Sequence, residues 1–407
     1  MRRFLFSSEG WPYLLVPFIP IAVIFEFGHI GAVATFFAST LGVIPTAALM
    51  GRATEELAAR AGPGIGGLLN VTFGNAPELI IALFALGAGL HEVVKASLLG
   101  SILGNSLLVL GAAAFVGGLG RDCQYFDRAA ASAQTTMLML AVAALVMPAI
   151  FVIDEGEGLP SPGAEIVDYN STVEYLSLAV AGVLILSYIA GLYFSLKTHR
   201  DLFNPGFEDG AAHADTTGTT ATTGTIGTTG NPRTTEVEAE PHRVEEETED
   251  HHEEPWTVRK AITALAIAGL AVGLMSEILV DSITETAEKI NLSEFFIGAI
   301  VVAVVGNAAE HWVAVLVAAK NKMDLAVNIA IGSSAQIAVF VAPVLVLCSF
   351  FLGPHPMPLV FNAFEIGGVI LAVLIASHVS QDGESTWFEG VQLLAVYVVV
   401  GVVFYFA

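Results

Sequence analysis

Gly306-Asn307-Ala308-Ala309-Glu310-His311 places an amide and a carboxylate in the middle of a run that is otherwise apolar, from Phe295 to Ala319. An ionisable group at membrane depth is costly to bury, so by default it marks a functional site. The same pattern occurs earlier, again within an apolar run, as Gly74-Asn75-Ala76-Pro77-Glu78. We therefore take these two phrases as the centre of the candidate site.

The two phrases belong to a longer internal repeat with an offset of 232 residues. At that offset the matches between residues 65 and 101 include Ile65 with Ile297, Gly66 with Gly298, Ala82 with Ala314, and Gly100-Ser101 with Gly332-Ser333. A single offset that keeps matching over this distance indicates a diverged duplication.

The composition predicts an all-α polytopic membrane protein embedded in the lipid bilayer. The 407 residues are 55% hydrophobic and only 14% charged, whereas soluble domains average about 25% charged residues. The net charge of −23 argues against nucleic acid as a partner and suits cations. We expect no cofactor and no enzymatic activity.

A membrane-spanning helix needs about 20 apolar residues, and about eleven segments qualify. They are roughly 11–27, 30–50, 63–89, 93–118, 130–152, 172–196, 257–280, 293–319, 325–351, 358–379 and 387–406. The predicted parts are an extra N-terminal helix (1–29), a first transmembrane repeat (30–196), a cytoplasmic linker (197–256) and a second transmembrane repeat (257–407). Five spans per repeat is an odd number, so the second repeat inserts upside down and the two phrases can meet near the midplane.

The positive residues support this arrangement. With the N-terminus in the cytoplasm, 14 of the 16 Lys and Arg fall on the cytoplasmic side, and only Lys95 and Lys289 fall opposite. This asymmetry predicts a cytoplasmic N-terminus and linker and an outside C-terminus. In a prokaryotic host the location would be the cell membrane.

The linker has two parts, a Thr- and Gly-rich stretch from Thr216 to Thr235 and an acidic run from Glu236 to Glu254. Such a segment lacks the apolar residues for a core and is predicted to be disordered. We expect a solvated linker, with a loose calcium collector as the alternative. After the second span, Glu55 and Glu56 lie between Arg52 and Arg60, and we expect an amphipathic cytoplasmic turn there.

Each phrase has the spacing of one helix face, because Asn75 and Glu78, like Asn307 and Glu310, are three residues apart. Gly74 and Gly306 allow close backbone approach or local unwinding. Pro77 removes a backbone donor and so frees a carbonyl. Carboxylates, amides and freed carbonyls together form an all-oxygen site, which hard cations such as calcium prefer.

A second polar cluster follows each phrase: Gly100-Ser101-Ile102-Leu103-Gly104-Asn105-Ser106 and Gly332-Ser333-Ser334-Ala335-Gln336. Neither contains a carboxylate, so Glu78 and Glu310 supply two formal negative charges. That charge matches one divalent cation or two protons. Two carboxylates close together do not both stay ionised without a cation, so competition between calcium and protons would produce antiport.

These phrases and clusters resemble the paired signature repeats of calcium/proton exchangers, which belong to the calcium/cation antiporter superfamily. The resemblance covers about residues 11–406. It implies exchange of calcium for protons by alternating access, with calcium extruded from the cytoplasm. It further implies that calcium is bound by Glu78, Glu310, Asn75, Asn307, Asn105, Ser333 and Gln336. Sodium/calcium exchangers resemble this pattern less, because they typically carry an acidic residue where Gln336 stands.

Two further polar residues are candidates for a proton relay or an entrance. Glu277 lies near the end of the seventh span, where an interfacial carboxylate facing water is the alternative. His311 points about 100° away from Glu310 around a helix, and we expect a packed, hydrogen-bonded histidine.

Three other functions stay open at this point. They are a sodium-coupled or other divalent-cation exchanger, a cation channel, and an intramembrane metalloenzyme using Glu310 and His311. The enzyme lacks support because no His-Glu-x-x-His spacing occurs and because the equivalent of His311 in the first repeat is Leu79.

Overall fold

The computed structural model describes residues 10–156, 158–162, 171–198 and 256–407. Residues 1–9 and nearly all of the predicted linker, 199–255, lie outside the described residues. The expectations about that linker therefore stay predictions.

The described chain is almost entirely helical. In chain order the α-helices are α1 (Phe18–Phe27, preceded by a 3₁₀ turn at Trp11–Leu15), α2 (Ala32–Gly74), α3 (Ala76–Gly87), α4 (His91–Gly118), α5 (Arg128–Asp154), α6 (Ser171–Tyr193), α7 (Val258–Asp281), α8 (Ile283–Ile290), α9 (Glu294–Gly306), α10 (Ala308–Ala319), α11 (Met323–Ser349), α12 (Ala363–Val379) and α13 (Trp387–Phe406).

Side-chain caps fix where several of these helices begin. Asn362 and Glu365 form a reciprocal capping box at the start of α12, and Thr386 and Glu389 form another at the start of α13. Asp127 accepts a hydrogen bond from the backbone of Ala130 at the start of α5. Each such cap satisfies backbone donors that lack an intrahelical partner.

The two phrases break their helices at equivalent residues. Asn75 (φ −95°, ψ 17°) separates α2 from α3, and Asn307 (φ −99°, ψ 4°) separates α9 from α10. The bounds of α3 and α10, and the first residues of α4 and α11, also differ by 232 residues. In both copies the following helix widens into a π-helical stretch, Gly104–Val109 in α4 and Ile337–Val341 in α11. Such π stretches frequently occur at functional sites.

Helix α2 corrects the expectation of a turn at Glu55 and Glu56, because helical hydrogen bonding continues from Ala32 to Gly74. The helix bends sharply instead: a Cβ on Gly66 would lie 2.2 Å from the carbonyl oxygen of Ala58. In a straight helix, residues eight apart are separated by about 12 Å. The bend lets one helix contribute both the second predicted span and the start of the third.

Helices α4 and α9 cross in direct backbone contact at the centre of the main core. A Cβ on Gly100 would lie 2.0 Å from the carbonyl oxygen of Ala299, and one on Gly298 would lie 2.9 Å from that of Val93. Gly100 is therefore required at this crossing. A separate small apolar cluster joins α2, α3 and α7 through Met50, Ala76, Ala268 and Val272.

Short connections tie the two repeats together at each end of the bundle. At one end, β1 (Gln124–Tyr125) pairs antiparallel with β2 (Glu384–Ser385). At the other end, the rings of His91 and His355 lie 4.4 Å apart, and the Lys95 ammonium donates to the Val360 carbonyl at 3.1 Å.

Within the described residues, seven helices are individually long and apolar enough to span a membrane, or up to nine spans if each of two bent pairs counts once. Three shorter apolar segments, Trp11–Phe27, Ala308–Ala319 and Ala363–Val379, do not reach that length. The breaks and bends divide segments that are continuous apolar runs in the sequence.

Candidate ion-binding site

A cavity of about 1050 Å³ leads from the protein surface to both glutamates. Glu78 and Glu310 line its inner part, and the exposed Glu55 and Lys320 line its outer part with Arg52. These outer residues lie at the same end of the bundle as the β1–β2 pair. Arg121, just before β1, donates to the carbonyl of Ala319, which is the residue before Lys320.

Each of the two glutamates extends its side chain toward the other repeat. A Cβ on Gly306 would lie 3.5 Å from the Glu78 Cγ, and one on Gly74 would lie 3.8 Å from the Glu310 Oε1. Each carboxylate therefore lies against the break of the other repeat. Both distances are ordinary van der Waals contacts, so these two glycines leave room beside the carboxylates without themselves touching another backbone.

The two motif asparagines are buried, with exposed fractions of 2% for Asn75 and 0% for Asn307. Asn75 Nδ2 donates to Gln336 Oε1 at 2.7 Å. Asn307 Nδ2 donates to Ser101 Oγ at 3.3 Å and to the Ala303 carbonyl at 3.1 Å. Each amide nitrogen thus donates a hydrogen bond to a side chain of the other repeat.

The oxygens of these amides are left without a donor. Asn75 Oδ1, Asn307 Oδ1 and Glu78 Oε2 are buried and have no hydrogen-bond partner among the described residues. Buried polar atoms are almost always paired, so three unpaired acceptors at the two breaks indicate a site for a species that supplies positive charge.

Residues of both second clusters form hydrogen bonds around the site, with the phrase that contains Glu310 or with each other. Ser333 Oγ donates to Glu310 Oε2 at 3.3 Å, and the hydroxyls of Ser106 and Ser334 bond across α4 and α11 at 3.1 Å. Asn105 Oδ1 bonds to His311 Nε2 at 2.9 Å.

The predicted ligands therefore divide into two groups. Those that line the cavity are Glu78, Glu310, Asn75, Ser333 and Gln336, with Gly74, Gly306 and Gly332 beside them. Asn307 and Asn105 are buried outside its lining, and Gly100 is a packing residue at the helix crossing.

His311 lies next to the site in a hydrogen bond, as the sequence predicts, and outside the cavity lining. Glu277 is exposed on α7 and does not line the cavity. The structure therefore does not bring Glu277 to the glutamates. Among the described residues no group of three or more His, Cys, Asp and Glu is arranged to hold a metal ion.

Sequence reasoning missed the outer cavity wall. Gln134 of α5 donates to Asn328 of α11 beside Gly332, and Glu55 lies on the cavity face of α2. A usable signal was present: Ala47, Gly51 and Glu55 recur every four residues, so they share one helix face.

The chain matches the model of the sodium/calcium exchanger protein family over residues 31–197 and 260–406. It belongs to that family.

Individual relatives cover almost the whole chain. It is 42% identical over 388 residues to the Ca(2+)/H(+) antiporter ChaA of Bacillus subtilis (strain 168), covering 95% of this chain and 96% of the relative. It is 41% identical over 393 residues to a Ca(2+)/H(+) antiporter of Aphanothece halophytica, with 96% and 95% covered. The structure of native YfkE superposes with a TM-score of 0.74 at 37% identity, covering 97% of this chain and 100% of that one. The crystal structure of the H+/Ca2+ exchanger CAX, at 14% identity, shares the fold with a TM-score of 0.64, covering 99% of this chain and 93% of that one.

Proposed function

We propose that the protein is a secondary active transporter that exchanges calcium for protons by alternating access and extrudes calcium from the cytoplasm. The observation that carries this function is the set of unpaired oxygens at the two breaks: Asn75 Oδ1, Asn307 Oδ1 and Glu78 Oε2. They lie at the breaks before α3 and α10, the helices that carry Glu78 and Glu310, and both of these carboxylates line a cavity that opens at the protein surface. The names of relatives that cover 95% or more of the chain support the same function.

The exchange follows from the charge of the site. With calcium bound, Glu78 and Glu310 both act as ionised oxygen ligands, as hard cations require. Without calcium, two ionised carboxylates in one buried site repel each other, and protons neutralise them. Calcium and protons thus exclude each other from the same oxygens. This linkage is reciprocal, so a proton gradient can drive calcium against its own gradient.

The ligand set favours protons over sodium as the coupling ion. Gln336 stands where an additional carboxylate would be needed to hold extra monovalent cations, and its Oε1 already accepts a hydrogen bond from Asn75. Two carboxylates supply charge for one divalent ion or two protons.

For the membrane arrangement we propose eleven spans, with an extra N-terminal helix before two inverted repeats of five. The two separate family matches, 31–197 and 260–406, support the division into repeats. The equivalent bounds of α3 with α10 support it as well. Counted this way, α9 and α10 form one broken span, and α8 is a short helix at one membrane surface. The lysine and arginine asymmetry assigns the N-terminus, the linker and the mouth of the cavity to the cytoplasm, and the C-terminus to the outside.

Calcium uptake into inverted membrane vesicles or proteoliposomes tests the function. An imposed pH gradient, acidic inside, is compared with an equal sodium gradient. The parent should accumulate calcium with the pH gradient and lose it when a protonophore is added. Glu78→Gln and Glu310→Gln should each reduce uptake at least about a hundredfold, since each removes one of two charges that bind the cation. Glu277→Gln, outside the cavity, is the matched control and should transport like the parent.

The other functions give different results in the same assay. Uptake driven only by sodium would indicate a sodium-coupled exchanger. Calcium that moves only down its own gradient, under either imposed gradient, would indicate a channel and contradict the proposal.

A further inference from the structure

We propose that Glu55 is a further residue of the ion pathway: its carboxylate attracts the divalent cation at the mouth of the cavity and raises the rate at which it reaches Glu78 and Glu310. The inference rests on the proposed function, because it assigns a role to a residue on the route to that site.

Glu55 lies at the mouth of the cavity that leads to the site. Glu55 is exposed and lines the same cavity as Glu78 and Glu310. It lies on the face of α2 that also contributes Ala47 and Gly51, whose small side chains leave the space between the mouth and the glutamates open. A cation that enters from the surface therefore passes Glu55 before it reaches the break at Asn75.

Glu55 also supplies negative charge: its carboxylate is exposed where it lines the outer cavity, and the field of that charge attracts cations. A cleft with low-dielectric walls focuses such a field and raises the local concentration and association rate of the counter-ion, by about 10-fold to 1000-fold in the strongest cases. Arg52 and Lys320 also line the cavity, so the loss of Glu55 would leave two positive charges at the mouth without its carboxylate and increase their repulsion of a cation.

The neighbouring residue, Glu56, has different surroundings. Glu56 is turned about 100° around the helix from Glu55, and its Oε2 accepts a hydrogen bond from the backbone of Trp256 at 2.9 Å. It does not line the cavity. Two adjacent glutamates on one helix thus have different surroundings, which gives the experiment a matched control.

The test measures initial calcium uptake under a fixed pH gradient in Glu55→Gln, Glu55→Asp and Glu56→Gln. It uses inverted vesicles, which present the mouth of the cavity to the medium, and right-side-out vesicles, which present the opposite face. In inverted vesicles at about 10 mM ionic strength, Glu55→Gln should raise the KM for calcium about three- to tenfold with the maximal rate changed less than twofold. At about 0.5 M salt the difference should shrink below twofold, because screening shortens the range of the field. Glu55→Asp should restore most of the parental KM, and Glu56→Gln should keep it.

The KM for calcium, measured from each face of the membrane, distinguishes a role of Glu55 in the ion pathway from a structural role. The KM measured from the opposite face should be unchanged in Glu55→Gln. An equal KM increase from both faces, or an increase insensitive to salt, would mean that Glu55 supports the site structurally and would overturn the proposal. An unchanged KM at low salt would overturn it too. If the parent itself shows no uptake coupled to the pH gradient, the proposed function fails instead, so the two failures are distinguishable.

Discussion

The two copies of the repeat share the positions of their helix breaks and differ in their hydrogen bonds. Their helices break at Asn75 and Asn307, and the bounds of α3 and α10 correspond residue by residue. Yet Glu310 accepts a hydrogen bond from Ser333 of its own repeat, whereas Glu78 Oε2 has no donor among the described residues. Duplication therefore accounts for the equivalent positions of the two glutamates. The equivalent serines, Ser333 and Ser101, make different hydrogen bonds, one with Glu310 and the other with Asn307, so the two carboxylates have unequal surroundings.

The asparagines differ in the same way. Asn75 reaches Gln336 in the second repeat, and Asn307 reaches Ser101 in the first. Because the residue equivalent to Gln336 is Gly104, the bond made by Asn75 has no counterpart for Asn307. The difference teaches that equivalent asparagines of a duplicated sequence can have different hydrogen-bond partners.

The largest expected effect comes from the glycines at equivalent positions, Gly100 and Gly332. A Cβ at residue 100 would lie 2.0 Å from the backbone oxygen of Ala299, which cannot move without separating two core helices. A Cβ at residue 332 would lie 3.3 Å from the side chains of Asn328 and Gln134, which can adjust. Gly100→Ala should abolish folded, monodisperse protein, and Gly332→Ala should fold with a melting temperature lowered by a few degrees. Size-exclusion chromatography and thermal melting in detergent measure both; equal behaviour of the two variants would show that the crossing is not the tighter contact.

An intermediate effect is expected from the serines. Ser333→Ala removes the donor to Glu310, and hydrogen bonds to charged groups contribute about 1.5–3 kcal/mol. At 3.3 Å the bond is long, so we expect the lower end, about a tenfold rise in the calcium KM. Ser101→Ala should raise it about threefold or less, because Asn307 keeps its bond to the Ala303 carbonyl. Transport kinetics over a range of calcium concentrations decide the order; a larger effect at Ser101 would reverse the assignment of the two serines.

The smallest effect is expected at His311, which stands where the first repeat has Leu79. His311→Leu gives both copies a leucine at this position and removes the hydrogen bond to Asn105. We expect a change of about threefold or less in the maximal rate, with uptake still driven by the pH gradient. The measurement compares calcium flux and proton flux in the same vesicles. Calcium flux that no longer responds to the pH gradient would instead make His311 a proton relay.

The repeat, the helix breaks and the pairing of the two glutamates could be predicted from the sequence, because each depends on local pattern: an apolar run, a polar phrase within it and a fixed offset. The partners of Asn75 and Asn307 could not, since they are more than 200 residues away and several hydroxyls and amides were equally eligible. Glu55 was placed in a turn because it follows the second predicted apolar span, in a charged stretch between Arg52 and Arg60. The helix bends there without ending.

The contact between α4 and α9 has a consequence for motion. Where Gly100 meets Ala299 and Gly298 meets Val93, backbone touches backbone, and neither helix can slide past the other without a clash. We therefore expect this crossing to stay fixed when access to the site changes. The breaks at Asn75 and Asn307 that carry the glutamates adjoin it. A change of access then requires movement of helices outside this crossing. Helix α2 forms part of the cavity wall and has its own small apolar cluster with α7. We therefore expect α2 to move while the ion stays in place.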